Sequence, residues 1–496
     1  MPPRKRSKPV RSRTWRTVIL GVANSTHSTP CEVRPHLRPA RSESAILRKP
    51  PIHSLPLEVI SEIFILALPA DYELLKRSQM HPEDKPKFIN PLVFCAVCSL
   101  WRSIALSTAR LWKRAFVFLP QGIKKGHAKQ KAAYLVRWIE RSGSLPLTLH
   151  ISSDDVEMSL LGTGPDAPVI SVLNRYAARW ETLYHHSMED HQSTLFMLRA
   201  PRSQLSFGFA GWHSLRQIRS SHINNVIHEP NQTTPWAQLT DLQISAYMPT
   251  SRAMSIFREC PQLLRLSITV WSTEVHAFPI IQHGLVTLCL TTDHCSFLVQ
   301  SISLPKLRNL YMSKLSTTHF GSLLGFFTRS SCNLDKLVIS ETYLTPRNHI
   351  NLLGHKSCDS LSSLTFNDTW MGDVSVDKEL VRRLTLHQHD SLCTRLKVLA
   401  MTCWIEAPTS ALLNMVESRI GSHAGQPPDG LLQYLRLYVV FDEIQKLEEV
   451  GTRSGVECTH EKHGELDHVL SIVWRRQGFR ERVPAAKFNG FPLDEL

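Results

Sequence analysis

The chain has 496 residues, 42% of them hydrophobic and 20% charged, too apolar a composition for a wholly disordered protein. Its net charge of +14 is unevenly placed, because residues 1–50 hold twelve Lys/Arg against Glu32 and Glu43, which leaves only +4 on the other 446 residues. That distribution does not indicate a basic folded DNA-binding domain, so nucleic acid is not an expected partner, and no apolar run approaches the roughly 18–20 residues a membrane span requires.

In chain order, residues 1–50 read as a disordered basic tail, broken by Pro2, Pro3, Pro9, Pro30, Pro35 and Pro39. The cluster Arg4-Lys5-Arg6-Ser7-Lys8 fits a nuclear import signal and equally a solvated basic tail, so the expected location is cytoplasmic, nuclear or both. The N-terminus has no apolar signal-peptide core, and without one the C-terminal Leu493-Asp494-Glu495-Leu496 reads as a chance likeness to a retention signal. The eleven cysteines are scattered, and the single CxxC, Cys95 and Cys98, has no second half for a zinc site. This usage favours a reducing compartment.

Residues 51–118 change character. Ser54 can cap a helix opening Leu55-Pro56-Leu57-Glu58, with proline near the start, where its missing N–H does no harm. Val59, Ile60, Ile63, Phe64 and Ala67 recur at helical spacing and predict an amphipathic helix to about Leu68, ended by Pro69. Asp71 to Asn90 is polar, contains Pro82 and Pro86, and reads as a loop. Two short helices are expected across Pro91 to Ala105, followed by Ser107-Thr108-Ala109-Arg110-Leu111-Trp112.

The combination Leu55-Pro56-x-Glu58-Val59-Ile60-x-x-Ile63-Phe64, then Pro91-Leu92, then Val97-Cys98-x-x-Trp101-Arg102-x-Ile104-Ala105 and Leu111-Trp112, resembles an F-box. Its second half is especially similar to fungal F-box proteins. The sequence departs from the pattern at residues 71–90, which stand where a typical F-box has a short turn. The resemblance implies docking on the Skp-type adaptor of cullin–RING ligases, and through it on cullin. The residues at signature positions are Leu55, Pro56, Ile60, Ile63, Phe64, Val97, Cys98, Trp101, Leu111 and Trp112. Physically, so short a three-helix segment cannot bury all of its large apolar side chains, and the remaining apolar surface marks a partner interface. Which of the ten pack inside and which face the adaptor is open at this stage.

Over residues 119–441 a pattern Leu-x-x-Leu-x-apolar recurs. It runs Leu239-Leu242-Ile244, Leu263-Leu266-Ile268, Leu285-Leu288-Leu290, Leu307-Leu310-Met312, Leu334-Leu337-Ile339, Leu361-Leu364-Phe366, Leu396-Leu399-Met401 and Leu432-Leu435-Leu437. Weaker versions stand at Trp180–Leu183 and Leu215–Ile218. Helix-compatible segments lie between the motifs, among them Arg252–Cys260, Thr318–Thr328, Arg347–Leu353 and Ser410–Ile420. The starts are 22 to 36 residues apart, so the expected fold class is α/β: a small all-α F-box followed by an irregular leucine-rich-repeat-like α/β solenoid. Residues 442–496 read as a C-terminal cap or tail.

Standard repeats carry Asn or Cys three residues past the last leucine. Here those positions are Tyr247, Trp271, Asp293, Leu315, Thr342, Thr369, Trp404 and Val440, so no such ladder is expected. Strand alternation sends the leucines inward and the residues between them outward. The outward set includes the candidate target contacts Arg265, Tyr311, Lys336, Tyr434, Arg436 and Tyr438, beside Ser267, Thr287, Asn309 and Thr365. With Lys and Arg but no acid in the set, the expected target segment is acidic or phosphorylated.

No catalytic, metal or cofactor constellation stands out. His185, His186 and His191 with Glu189 and Asp190, and the pair His387 and His389, lack HExxH spacing, and His460-Glu461-Lys462-His463 misses it by one. Asp154, Asp155 and Glu157 sit in a polar turn, and Gly162-Thr163-Gly164-Pro165 lacks the Lys-Ser/Thr of a phosphate loop. The expectation is therefore no enzyme and no cofactor, but the substrate-recognition subunit of a Skp–cullin–F-box ubiquitin ligase, with an unknown target and no membrane partner. The alternative is a non-catalytic solenoid scaffold in a nuclear complex without ligase activity.

Overall fold

The computed structural model describes residues 54–68, 90–119, 123–153, 167–187, 214–220, 235–271, 280–292, 296–340, 343–367, 376–386, 389–403, 405–420, 432–440, 457–462 and 469–475. The chain divides into Met1–Leu55 and Pro56–Leu496. The basic tail expected at 1–50 lies outside the described residues.

Three helices open the second unit. Helix α1, Leu57–Ala67, starts directly after Pro56 and ends where Leu68 turns extended ahead of Pro69. Helix α2, Pro91–Cys95, places its proline at the first helical position, and the Asn90 side chain accepts from Leu92 N at 2.9 Å. Helix α3, Ser99–Ser107, leads into a short 3-10 turn at Ala109–Trp112.

The rest of the unit is α/β, with a large, mostly parallel sheet of fourteen strands. Strand β1 (Arg114–Leu119), helix α4 (Lys125–Arg141), β2 (Leu147–Ser153), helix α5 (Ala167–Arg175), β3 (Trp180–Ser187) and β4 (Gln217–Ser220) form its first part. Next come β5 (Asp241–Pro249), helix α6 (Thr250–Glu259), β6 (Arg265–Trp271), the short β7 (Ile281–Gln282), β8 (Thr287–Thr292), helix α7 (Ser296–Gln300) and the short β9 (Ile302–Ser303). Strand β10 (Asn309–Ser313), helix α8 (Phe320–Ser330), β11 (Lys336–Ser340), helix α9 (Pro346–Leu353) and β12 (Ser363–Asn367) continue the series. The last part is β13 (Val376–Asp377), helix α10 (Lys378–Leu384), β14 (Val398–Thr402), β15 (Ile405–Glu406), helix α11 (Thr409–Ile420), β16 (Tyr434–Val440), β17 (Glu457–Lys462) and β18 (Val469–Arg475).

From β1 to β16 the strands of the large sheet succeed one another in chain order, each parallel to the next. Strands β18 and β17 then close the series antiparallel, and β7–β9 and β13–β15 are separate two-stranded pairs. Two features of the sheet bear on the expected divisions. The division at 118/119 falls inside β1, and the segment beyond residue 441 adds two strands to the sheet. None of the described helices is long and apolar enough to cross a membrane.

The repeated motif has a direct structural meaning. Its second leucines, Leu242, Leu266, Leu288, Leu310, Leu337, Leu364, Leu399 and Leu435, stand side by side in register on successive strands and are buried. The first leucine of each motif is buried as well, in the same core. The residue after it supplies a backbone ladder. The carbonyl of Arg216 accepts from Thr240 N and Asp241 N, that of Thr240 from Leu264 N and Arg265 N, and so on through Leu264, Val286, Arg308, Asp335, Ser362 and Lys397. Each carbonyl thus takes two N–H groups from the next motif, which satisfies the backbone at the start of the large sheet's strands from β5 to β16 without an asparagine ladder. Of the positions where a standard repeat has asparagine, Asp293, Thr342, Thr369 and Trp404 lie outside the described residues.

A parallel sheet with a free edge invites further pairing. Here α4 covers that edge, since Lys131 Nζ donates to Phe118 O at 2.7 Å and Trp138 Nε1 donates to Arg114 O at 2.8 Å, both carbonyls on β1. Between β14 and β16, Arg419, fully buried on α11, donates to the carbonyls of Leu384, Leu392 and Cys393 and so ties α11 to the segment after α10. Burial depresses its pKa to about 10, and Cys393 offsets part of that.

Candidate functional site

The three-helix segment has an aromatic core of its own. Phe64 of α1 stacks on Phe94 of α2 with ring centroids 4.4 Å apart, and Trp101 of α3 closes on Phe64 at 4.8 Å. Ile60, Pro91, Ile104, Ala105, Leu111 and Trp112 are buried around them. The corner after α3 is held by Trp112, whose Nε1 donates to Ala105 O at 2.8 Å. Trp180 repeats this device at the start of β3, donating to Leu173 O at 2.9 Å over the same seven-residue separation. Trp112 also meets Trp138 edge-on at 4.8 Å, and the Arg141 guanidinium lies 4.5 Å over its ring. The segment therefore shares one continuous core with the sheet.

The ten residues singled out from sequence now separate. Ile60, Phe64, Leu111 and Trp112 are core, Cys98 and Trp101 are half-buried, and Leu55, Pro56, Ile63 and Val97 are exposed. The Trp101 indole N–H is buried with no acceptor among the described residues. The signature positions leave out other exposed apolar side chains, namely Leu57, Val59, Leu66, Leu92, Val93 and Leu106, with Leu66 82% exposed. Nine of the sixteen exposed large apolar residues among those described fall between Leu55 and Leu106. On α1, Val59, Ile63 and Leu66 stand at i, i+4 and i+7, so they share an exposed stripe distinct from the buried Ile60 and Phe64. The signal that could have found them is that Leu57–Ala67 is apolar around most of its circumference, the mark of a helix covered on two sides.

Polar contacts brace the segment without touching that stripe. Arg110 pairs with Glu62, Ser61 Oγ lies 3.1 Å from Thr108 Oγ1, and Arg102 Nε donates to Cys95 O at 2.8 Å. The CxxC pair is used structurally. Burial pushes the Cys95 thiol up, only partly offset by Arg141 and Arg102, which disfavours a reactive thiolate. Cys98 is a helix cap, its Sγ accepting from Trp101 N at 3.5 Å. Cys98→Ser should keep or raise stability, whereas Cys98→Ala should lose about 1 kcal/mol, read as a drop in thermal midpoint.

The second candidate surface is the face of the sheet opposite the leucines. Alternation places the expected side chains there, but not as exposed contacts. Tyr311 is 4% exposed and joins Cys289 and Val338 in a small apolar cluster, and Tyr434 and Arg436 are buried as well. Ser267, Thr287 and Thr365 are buried, Asn309 is half-buried, and the Tyr438 side chain lies outside the described residues. The inference that these positions are open to a target is therefore corrected for Tyr311, Tyr434 and Arg436. Side chains on parallel strands about 4.8 Å apart cover one another across the row, and longer side chains reach over it, as Lys314 Nζ does to Tyr247 Oη at 3.5 Å. Arg265 and Lys336 are half-buried: Arg265 pairs with Asp241, and Lys336 Nζ lies 5.5 Å over the Tyr311 ring.

Among the described residues, no group of three or more His, Cys, Asp or Glu is arranged to hold a metal ion. His191, Glu189, Asp190, His387, His463, Asp154, Asp155, Glu157 and Gly162–Pro165 lie outside the described residues. Compared with known proteins, the chain matches no family model and no curated protein.

Proposed function

We propose that the chain is the substrate-recognition subunit of a Skp–cullin–F-box ubiquitin ligase. In this reading Leu55–Trp112 is the F-box, and the repeated strands and helices form an irregular leucine-rich-repeat-like solenoid that holds a target. The observation that carries the reading is the concentration of exposed apolar side chains on a helical segment whose own aromatic core is already complete. Leaving such a surface in water carries a penalty, since fully burying a Val, Leu or Ile side chain is worth about 1.5–3 kcal/mol. The motif supplies the partner's identity, a Skp-type adaptor that in turn binds cullin.

No residue of the chain needs to act on the target chemically. Holding the target beside a ubiquitin-loaded enzyme raises its effective concentration there, and proximity alone accelerates transfer. The shared packing around Trp112, Trp138 and Arg141 supports this mechanism, because a fixed joint keeps the two ends at a constant spacing.

The test is co-purification of the adaptor with full-length chain carrying Leu55→Ala and Pro56→Ala. Both residues are exposed, so the double variant should fold as the native chain does and lose the adaptor. Undiminished adaptor capture contradicts the reading. Adaptor capture together with targets of unchanged lifetime favours the scaffold alternative.

A further inference from the structure

The helical segment and the sheet meet at a place that the exposed stripe of α1 does not include. We propose that the adaptor also covers this junction, with an acidic segment of it docking on Arg102 of α3 and on Tyr134, Arg137 and Arg141 of α4. This rests on the reading that the helical segment binds an adaptor, and it carries the interface beyond that segment.

Three observations bring these side chains to one surface. First, Tyr134, Arg137 and Arg141 stand at i, i+3 and i+7 and so share one side of α4, with Tyr134 45% exposed, Arg137 exposed and Arg141 half-buried. Second, Arg141 reaches the helical segment, where its guanidinium lies 4.5 Å over the Trp112 ring, and on α3 Arg102 Nε donates to Cys95 O at 2.8 Å. Burial raises both the Cys95 thiol and the Tyr134 hydroxyl. Arg141 offsets part of each rise and Arg102 part of the first, so both guanidiniums stand near Cys95. Third, Val93 and Val97, two residues to either side of Cys95, are 46% and 56% exposed and belong to the apolar surface ascribed to the adaptor. A partner lying over Val93 and Val97 is thereby brought beside the arginines.

Charge selects what the partner brings. Among the described residues Arg110 pairs with Glu62 and Lys113 with Glu181, but no carboxylate pairs with Arg102, Arg137 or Arg141. Glu140, three residues on from Arg137, makes no ion pair with it. Residues 69–89, which lead into α2 and lie outside the described residues, hold Asp71, Glu73, Glu83 and Asp84 against Lys76, Arg77, Lys85 and Lys87, and so add no net charge. Arg102 uses only its Nε–H on Cys95 O, which leaves the terminal N–H groups of its fork for a carboxylate. Arginines beside an exposed tyrosine are also the composition of a binding hot spot, and an acidic segment complements them.

The experiment titrates purified Skp-type adaptor into the full-length chain by calorimetry at low and at high salt, with a melting curve for every protein. Arg137 is exposed and takes part in no hydrogen bond or ion pair among the described residues, so Arg137→Glu reports on the interface and not on the fold. Its melting midpoint should match that of the native chain while its adaptor affinity falls at least tenfold at low salt. Arg102→Gln/Arg137→Gln should bind with a weaker dependence on salt than the native chain, because the attraction it removes is one that salt screens. Lys129→Glu, an exposed change elsewhere on α4, should leave the affinity within about twofold. Native affinity in Arg137→Glu, an equal fall in Lys129→Glu, or an unaltered salt dependence in the double variant overturns the proposal and leaves the adaptor reading in place. Failure of the native chain to bind the adaptor overturns both.

Discussion

Leu310→Asp should abolish the cooperative unfolding transition of the sheet. Leu310 is 1% exposed and lies in register between Leu288 of β8 and Leu337 of β11, with apolar neighbours on both sides. An ionised carboxylate there has no partner, and a neutral one still leaves buried polar atoms unsatisfied. The loss should exceed about 4 kcal/mol, a large part of the roughly 5–15 kcal/mol that holds a domain folded. Each strand leans on the next, so the damage should spread to adjacent motifs. Circular dichroism during a urea titration would show it. Tyr311→Ala, one residue on, should also destabilise, by on the order of 3 kcal/mol, because Tyr311 is buried against Cys289 and Val338 and leaves a cavity. A native-like midpoint for Leu310→Asp would mean that the leucine column does not face the core.

Trp112→Ala should be nearly as damaging, with a different signature. The indole is fully buried, donates to Ala105 O at 2.8 Å and packs edge-on against Trp138. Removing it should cost about 3–5 kcal/mol. Because Trp112 joins the helical segment to α4, limited proteolysis should now cut between α3 and β1 while the sheet's fragments persist. Trp112→Phe keeps most of the packing and loses only the bond to Ala105 O, about 1 kcal/mol. If Trp112→Ala leaves both the cleavage pattern and the melting curve unchanged, the two parts are not joined through this residue.

Each feature of the fold is legible in the sequence only as far as it leaves a side-chain signal. The Leu-x-x-Leu-x-apolar motif marks the strands of the large sheet from β5 to β16, because burying a column of leucines in register demands that spacing. Pro346 marks the start of α9, and the spacing of Phe320, Leu323 and Phe327 marks α8. Strands β3 and β4 carry weaker versions of that motif, whereas β1 and β2 are legible only by alternation, in Ala115-Val117-Leu119 and Leu147-Leu149-Ile151, which are buried on one side. Helix α4 carries Ala128, Ala132, Leu135, Trp138 and Ile139 at helical spacing, but no motif singles it out. Alternation also says which side of a strand a residue takes, but not whether that side is covered. That is why Tyr311, Tyr434 and Arg436 read as open in the sequence and are buried in the fold. The ladder is silent for a simpler reason: it is made of main-chain carbonyls, which no side chain announces.

Within the helical segment the difficulty is similar. Ile60 and Ile63 are the same residue type three positions apart, and only the packing of Phe64 against Phe94 decides that Ile60 is inside and Ile63 outside.

That division makes the central claim measurable. Full-length chain and the Val59→Asp/Ile63→Asp double variant would be titrated with purified Skp-type adaptor by calorimetry, with melting curves recorded for both. Because Val59 and Ile63 are exposed, the variant should melt close to the native chain while its adaptor affinity falls by at least a hundredfold. Equal affinity for the two proteins at matched stability would contradict the account, because the adaptor would then not be reading the outer stripe of α1.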